Sequence, residues 1–288
     1  MDDPGPAPPP AGLEPFLDAL QGRLERPLPP ADGQEIRVGL DLGTSSIVLV
    51  VLAGDGSPLA MARSAASVVK DGLVVDFNGA RLICGRLRLG LETALGLSLD
   101  RAAIAVPPGT SERDQATHRY VCEAAGLEVC GVFDEPVAAN LLLGIRDGAL
   151  ADLGGGTTGA AAFRDGRMVA SFDEATGGHH LSLVIAGHER MPLEKAEAFK
   201  IDPANAKAVA AMVAPVLAKM GRILSSGLAG LDVGVLHLAG GSAAAPGAGP
   251  VIAQETGLRV LVAPRPDLVT PAGIAMGCRP FRPGPLGG

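Results

Sequence analysis

A glycine turn follows an aspartate near the start of the chain, at the end of an apolar, strand-like run. The turn contains Asp41, Gly43, Thr44 and Ser45. Glycine lets the backbone approach an anion, and the backbone N–H groups and hydroxyls beside it donate hydrogen bonds to phosphate oxygens. The Asp41 carboxylate suits Mg²⁺ held through water, because hard cations prefer oxygen ligands. Taken alone, the motif equally fits an ordinary β-hairpin.

The same arrangement of strand, aspartate, glycine turn and hydroxyls recurs half-way along the chain. Its residues are Asp152, Gly154, Gly155, Gly156 and Thr157. Three consecutive glycines in a tight turn cost conformational entropy, which favours a position where something approaches the backbone closely. The two motifs together predict a pair of phosphate-binding loops that face each other across a cleft, with Asp152 as a second carboxylate for Mg²⁺.

Two further motifs could contact a nucleotide. Gly240, Gly241 and Ser242 follow an apolar run, and small residues at a junction of strand and helix let a flat ring or a sugar approach while the helix N-terminus favours anions. Glu135 opens a predicted helix directly after a strand, where a carboxylate can orient a water for attack on a phosphoryl group. Glu135 also fits an acidic first turn that the helix dipole stabilises.

The elements that must position these residues occur twice in the same order. Three strands joined by hairpins are predicted first, and helices that alternate with strands follow; the order restarts at residue 149. This repeat predicts two similar α/β domains. We place them at 36–150 and 151–266, with a C-terminal helix at 267–278 that completes the first domain and a tail at 279–288.

Residues 1–35 form a proline-rich tail around a short amphipathic helix. Apolar residues recur at helical spacing over residues 13–24, at Leu13, Phe16, Leu17, Leu20 and Leu24. Prolines on both sides favour a helix that is held away from the body and docks on a partner. The alternative is that the helix folds back and buries the same stripe on its own domain.

The composition argues against a protein that binds nucleic acid, an anionic membrane or a metal through its cysteines. The chain has 288 residues with a net charge of −7, no Trp, one Tyr and no Lys/Arg cluster, so it lacks the features of a protein that binds nucleic acid or an anionic membrane. The sequence predicts no apolar run that approaches the length of a membrane span, which favours a cytoplasmic protein. The four cysteines have no metal-binding spacing and are expected to be small buried hydrophobes.

In combination the motifs resemble those of the actin-like ATPase superfamily, which includes actin, MreB, sugar kinases and the ATPase domain of DnaK-type chaperones. The resemblance runs from about residue 36 to residue 278. It implies two similar RNase H-like domains around a nucleotide cleft that holds ATP and Mg²⁺. It also implies that 41–45 and 152–157 are phosphate loops and that 240–242 is an adenosine loop. Glu197 and Lys200 are spaced like the pair that holds the ribose and adenine in MreB.

Within the superfamily the chain most resembles the EutJ family of ethanolamine utilization proteins. The segments that carry this resemblance are 107–110, 174–182, 193–197 and 269–271. The resemblance implies an ATP-binding, chaperone-like protein that assists the enzymes or the shell of a bacterial microcompartment, with ethanolamine ammonia-lyase as a candidate client. It implies a cytoplasmic protein that associates with the microcompartment, and it leaves the oligomeric state open.

Departures from the superfamily pattern indicate slow ATP hydrolysis. The segment between Ser45 and Ala102 is too short for the insertion that carries a γ-phosphate lysine in the chaperones. His179 and His180 stand where relatives have acidic residues, and they could contact phosphate or cap a helix. The alternatives to a chaperone-like weak ATPase are an MreB-like filament former, a small-molecule kinase, and a nucleotide-binding scaffold with little turnover.

Overall fold

The computed structural model describes residues 12–286 and divides the chain into two compact units. Unit 1 contains the residues up to Gly144 and those from Leu268 onward, and unit 2 runs from Ile145 to Asp267. Because the chain enters unit 2 once and then returns, the C-terminal residues pack with the first half of the sequence.

Unit 1 is built on a mixed sheet of five strands in the order β3-β2-β1-β6-β7. The elements in chain order are α1 (Leu13–Gly22), β1 (Ile36–Leu42), β2 (Ser46–Ala53), β3 (Pro58–Ala65), β4 (Val69–Lys70), β5 (Leu73–Val74), α2 (Phe77–Leu95), β6 (Arg101–Val106), α3 (Glu112–Ala124), β7 (Glu128–Asp134) and α4 (Glu135–Leu143). Strands β1, β2 and β3 are antiparallel, whereas β1, β6 and β7 run parallel. Apolar and β-branched runs form these strands because such side chains fit a buried pleated surface.

Unit 2 has a second sheet of five strands, in the order β10-β9-β8-β11-β12. Its elements are β8 (Gly148–Leu153), β9 (Thr158–Arg164), β10 (Arg167–Glu174), α5 (Gly178–Glu189), α6 (Leu193–Ile201), α7 (Ala206–Gly227), β11 (Val235–Ala239), α8 (Ala248–Thr256) and β12 (Arg259–Val262). Helix α9 (Pro266–Gly277) then leads back into unit 1. Both sheets therefore have three antiparallel strands followed by strands parallel to the first.

Several elements at the end of unit 2 were not expected from the sequence. After β11 the backbone forms a 3₁₀ turn at Gly241–Ala244, and the next α-helix starts only at Ala248. The predicted junction of strand and helix does lie at Gly240 and Gly241, but the helix that starts there is a single 3₁₀ turn. The reason is local: Gly247 adopts a left-handed conformation with φ of 87°, which separates the 3₁₀ turn from α8.

The two faces of the sheet in unit 1 are covered by different helices. Ile47, Leu49 and Val51 of β2 belong to a core that contains buried residues of α2 and α3. Val48, Val50 and Leu52 point to the opposite face, because side chains alternate along a strand, and they are also buried. Helix α9 covers part of this second face. A Cβ atom on Gly39 would lie 2.7 Å from the Cα of Ala275, so the helix lies directly on the backbone of β1.

Helix α1 lies against the sheet of unit 1 and does not extend from the body. It packs on β3, and its residues Phe16, Leu17 and Leu20 are 2%, 0% and 0% exposed. The chain stays attached beyond the helix, where the Arg23 guanidinium donates to the Pro58 carbonyl at 3.1 Å. The expectation of a docking helix held away by prolines is wrong. A short isolated helix is marginal in water, and the open face of the sheet supplies the partner surface.

One segment among residues 12–286 could cross a membrane by its length and composition, and it is Pro203–Gly227. The expectation that no apolar run reaches this length is wrong, because alanines between the larger side chains extend the run. Val209, Val213 and Leu217 of α7 are fully buried in a core shared with α5 and α6. This buried stripe is what a core helix of unit 2 requires.

Candidate functional site

The second phosphate-type loop starts from a buried carboxylate. Asp152 lies near the end of β8 and is 4% exposed. The loop from Gly154 to Thr157 then turns back into β9 and is closed by a hydrogen bond from the Gly154 N–H to the Thr157 carbonyl at 3.0 Å. Thr157 itself is 5% exposed, so the loop presents a small buried hydroxyl and a buried carboxylate next to glycine backbone.

The first turn of α5 lies against this loop. The Gly178 and His179 N–H groups donate to the carbonyls of Gly154 and Gly155 at 2.9 and 2.8 Å. These donors would otherwise lack a partner within the helix. The carbonyl oxygens of Gly154 and Gly155 therefore point towards α5. In that direction they would not repel an anion bound at the loop. A Cβ on Gly177 would lie 2.5 Å from the carbonyl carbon of Gly156, so only glycine permits this approach.

The segment from Gly240 to Ser242 packs on the same loop. The Ser242 hydroxyl donates to the Gly154 carbonyl at 2.7 Å, and the Gly240 N–H donates to the Pro266 carbonyl at 2.8 Å. Gly240 has a φ of +83°, and a Cβ there would lie 2.5 Å from the Leu153 carbonyl oxygen and would overlap the Asp152 carboxylate. The pairing of β8 with β11 explains the contact, because it sets Ala239 opposite Asp152.

Lys200 connects α6 to the start of α5. Its ammonium donates to the Ser182 hydroxyl at 2.7 Å and to the Gly178 carbonyl at 3.3 Å, and it forms an ion pair with Glu197 at 2.8 Å. The Lys200 side chain is 15% exposed and that of Glu197 is 42% exposed. Lys200 therefore contacts the first turns of α5, which lie against the glycine loop. Its partner Glu197 is the more exposed of the two side chains.

The two histidines that follow Gly178 differ in their roles. The Gly177 N–H donates to Nδ1 of His180 at 3.3 Å, so His180 caps the start of α5. The His179 ring lies edge-on to the His180 ring with centroids 6.3 Å apart. Of the two roles that the sequence left open, capping applies to His180.

Asp173 is a residue of this site that sequence reasoning missed. Register across the sheet pairs Asp152 with Gly159 and Gly159 with Asp173, so the two carboxylates flank a glycine on three adjacent strands. Thr157 donates a hydrogen bond to Asp173, whereas Oδ1 of Asp173 is buried and accepts none from any residue over 12–286. Because side chains alternate along β10, Asp173 and Phe172 point to opposite faces of the sheet. Only the register between strands shows that Asp173 lies on the same face as Asp152.

The pKa of Asp173 is raised to about 6, chiefly by burial; the hydrogen bond from Thr157 opposes this shift, and the charges of Asp152 and Glu174 add to it. A carboxyl group whose pKa is higher in the folded than in the unfolded chain stabilises the fold below its unfolded pKa and loses this contribution as the pH rises through 6. Ionised Asp173 therefore weakens the fold at neutral pH.

Asp173→Asn should stabilise the protein without added nucleotide or metal by about 1–2 kcal/mol at pH 8, after allowance for its partial exposure, and by little at pH 4. Urea unfolding at both pH values measures the difference. Asp232→Asn, at an exposed position of the same unit, is the control and should change stability at neither pH. A gain for Asp173→Asn that is equal at pH 4 and pH 8 would contradict this explanation.

The predicted site residues of unit 1 lie at one edge of its sheet. Asp41 is near the end of β1, and the loop through Gly43, Thr44 and Ser45 joins β1 to β2. Glu135 is the first residue of α4, directly after β7. The strands β1, β6 and β7 are parallel, so both groups follow the carboxyl ends of strands, where α/β sheets commonly bind ligands. Asp41 and Glu135 are both half-buried.

The donor set fits a nucleotide better than a metal bound by protein alone. Over residues 12–286 no group of three or more His, Cys, Asp or Glu side chains is arranged to hold a metal ion. Each glycine loop follows one aspartate near a strand end, Asp41 in unit 1 and Asp152 in unit 2, which is the pattern for a cation that phosphates and water bind. The residues therefore fit Mg²⁺ that arrives with a nucleotide.

Comparison with known proteins identifies the family. The chain is 41% identical over 248 residues to the ethanolamine utilization protein EutJ of Salmonella typhimurium, in a match that covers 86% of this chain and 87% of that protein. The chain belongs to the EutJ family. The crystal structure of EutJ from Carboxydothermus hydrogenoformans matches with a TM-score of 0.84 at 44% identity, over 91% of this chain and 97% of that one.

The wider superfamily is also confirmed. The family described as "Hsp70 protein" matches residues 79–229 of the chain. MreB5 of Spiroplasma citri, in a crystal structure bound to AMPPNP, matches with a TM-score of 0.65 at 16% identity, over 83% of this chain and 94% of that one. The actin-like ATPase fold predicted from the sequence motifs is therefore correct for this member of the EutJ family.

Proposed function

We propose that this member of the EutJ family binds ATP, hydrolyses it slowly, and acts as a chaperone-like protein on enzymes or shell proteins of a bacterial microcompartment for ethanolamine utilization. The observation that carries the ATP part is the convergence on one loop of unit 2. The start of α5 and the segment Gly240–Ser242 both donate hydrogen bonds to the carbonyls of that loop. The AMPPNP bound to an MreB of the same fold supports the choice of nucleotide.

Within unit 2, each segment has a distinct proposed role. The loop formed by Gly154, Gly155, Gly156 and Thr157 would bind phosphate oxygens through its backbone, because the carbonyls of Gly154 and Gly155 accept hydrogen bonds from α5. Gly240, Gly241 and Ser242 would accept the adenosine, since small residues leave space for a flat ring. Glu197 would bind the ribose hydroxyls through its exposed carboxylate, and Lys200 would hold that carboxylate in place.

Within unit 1, the loop with Gly43, Thr44 and Ser45 is proposed as the other phosphate loop. Asp41 and Asp152 would hold Mg²⁺ through water, and the ion would neutralise phosphate charge. Glu135 would accept a hydrogen bond from a water molecule and so orient the lone pair of the water oxygen towards the terminal phosphorus. The chain has no evident counterpart of the chaperones' γ-phosphate lysine, so we expect a low rate.

ATP binding is tested by calorimetry with ATP and Mg²⁺ on the wild type, Asp152→Asn and Asp232→Asn. Asp152→Asn keeps the shape of a buried side chain but removes its charge, so we expect at least a tenfold loss of affinity. The control Asp232→Asn changes an exposed aspartate and should bind like the wild type. Equal affinity in all three proteins, or no binding to the wild type, would refute the assignment.

The same preparation tests Glu135 by phosphate release. Glu135→Gln should keep ATP affinity and lose most of the turnover, whereas Glu112→Gln, in the first turn of α3, should retain both. If Glu135 only stabilises the helix dipole, the two variants behave alike. Addition of ethanolamine ammonia-lyase should raise the wild-type rate if the lyase is a client, and binding with no turnover under any condition would favour a scaffold.

A further inference from the structure

Two cysteines that are far apart in the sequence meet in unit 1. Cys130 lies on β7 and Cys278 follows the last residue of α9, and their sulfur atoms are 3.2 Å apart. A disulfide bond has a length of about 2.0 Å, so the two sulfurs need to approach by only about 1 Å. The sequence had suggested four buried and inert cysteines, but Cys130 is exposed, so that expectation is wrong for this residue.

The two members of the pair differ in access. Cys130 is open to solvent, whereas Cys278 is fully buried. A soluble oxidant can therefore reach Cys130 and cannot reach Cys278 directly. The other two cysteines, Cys84 and Cys122, are both buried in the core of unit 1. Of the four thiols, Cys130 is therefore the one that a soluble oxidant reaches first, and the buried Cys278 is its neighbour.

The surroundings of the pair favour a thiolate at the buried position. The hydrogen bond between the two thiols lowers the pKa of Cys278 to about 7, and the Arg37 guanidinium acts in the same direction. Arg37 is fixed at this place because it donates to the carbonyls of Met276 and Cys278 at 2.8 and 3.0 Å. By contrast, burial raises the pKa of Cys84 to about 12, so that thiol stays protonated and unreactive.

We propose that Cys130 and Cys278 form a reversible disulfide bond, with Cys130 as the thiol that reacts first with a small disulfide such as oxidised glutathione. The hydrogen bond to Cys278 and burial raise the pKa of Cys130, so the Cys130 thiol passes its proton along this hydrogen bond to the Cys278 thiolate as the Cys130 sulfur attacks one glutathione sulfur. A mixed disulfide forms, and the other glutathione leaves as a thiolate that takes up the proton from Cys278. The Cys278 thiolate then attacks the Cys130 sulfur and displaces the second glutathione. The two protein thiols are oxidised, one glutathione disulfide is reduced to two thiols, and the two protons pass to the leaving thiolates.

The bond would tie the end of α9 to β7. Cys278 already packs with Ala103 of β6 and Ala138 of α4, so the helix end needs no large movement to bring the sulfurs together. The step is independent of the proposed ATP binding, because none of its atoms belongs to the glycine loops.

The test uses the full chain without nucleotide, with oxidised glutathione at neutral pH followed by thiol counting in denaturant and mass spectrometry. The wild type should fall from four thiols to two, lose the mass of two hydrogens, and yield one cross-linked peptide pair containing Cys130 and Cys278. Dithiothreitol should restore all four thiols. Retention of four thiols, a product that stops at the glutathione adduct, or a cross-link to Cys84 or Cys122 would overturn the proposal.

Two variants separate the roles of the pair. Cys278→Ser should stop at the mixed disulfide and gain the mass of one glutathione, because the second thiol is absent. Cys130→Ser should gain nothing, because the remaining thiols are buried. The opposite pattern, with an adduct on Cys278 in Cys130→Ser, would contradict the order of the two steps.

Discussion

Gly240→Ala should abolish ATP binding and lower the stability of the protein well beyond the effect of Gly257→Ala. Both glycines lie in unit 2 with positive φ, +83° at Gly240 and +70° at Gly257. A Cβ on Gly257 would meet no atom within 4 Å, whereas one on Gly240 would overlap the Asp152 carboxylate and lie 2.5 Å from the Leu153 carbonyl oxygen. Gly257 is a left-handed residue with ψ of 8°, whereas Gly240 has ψ of 152°, in a region that essentially only glycine adopts. Gly240→Ala therefore carries the overlap and a backbone strain at least as large as that of Gly257→Ala.

The conformational cost is about 1–2 kcal/mol at Gly257 and about 1–3 kcal/mol at Gly240. At Gly240 the overlap with backbone adds about 1–3 kcal/mol, because the neighbours are a strand end and a buried carboxylate that have no space to move. Urea unfolding measures the stability and calorimetry with ATP measures the binding. Gly257→Ala should keep wild-type affinity. Equal unfolding free energies for the two variants, or wild-type ATP affinity in Gly240→Ala, would show that this contact does not shape the site.

Leu17→Ala and Leu20→Ala should each destabilise the protein by about 2–5 kcal/mol, because both side chains are fully buried under α1 and alanine leaves a cavity. Leu24→Ala removes a side chain of the same type that is 39% exposed and should cost below about 1 kcal/mol. Urea unfolding of the full chain gives the three values. A docking helix would instead leave stability unchanged in all three variants and lose only a binding partner.

The sequence by itself determined much of the secondary structure. Ser46–Ala53 forms a strand and Leu193–Ile201 forms a helix, because local propensity, apolar periodicity and the glycines and prolines that end an element act over a few residues. The recurrence of aspartate, glycine turn and hydroxyls predicted two similar α/β domains, and it is one of the motifs that resemble those of the actin-like ATPases. These features are local in the chain, so a pattern of residue types is enough to find them.

Only the tertiary structure decided what these elements contact. The apolar stripe on α1 could have faced a partner or its own sheet. The structure packs it on β3, and no property of residues 13–24 alone predicts that choice. Asp173 joins Asp152 through strand register across Gly159, and a shift of one residue would have turned its side chain to the other face. Cys130 and Cys278 meet across 148 positions, because the chain returns to unit 1 after it has completed unit 2. Local sequence sets the identity of each element, whereas long-range packing sets its neighbours.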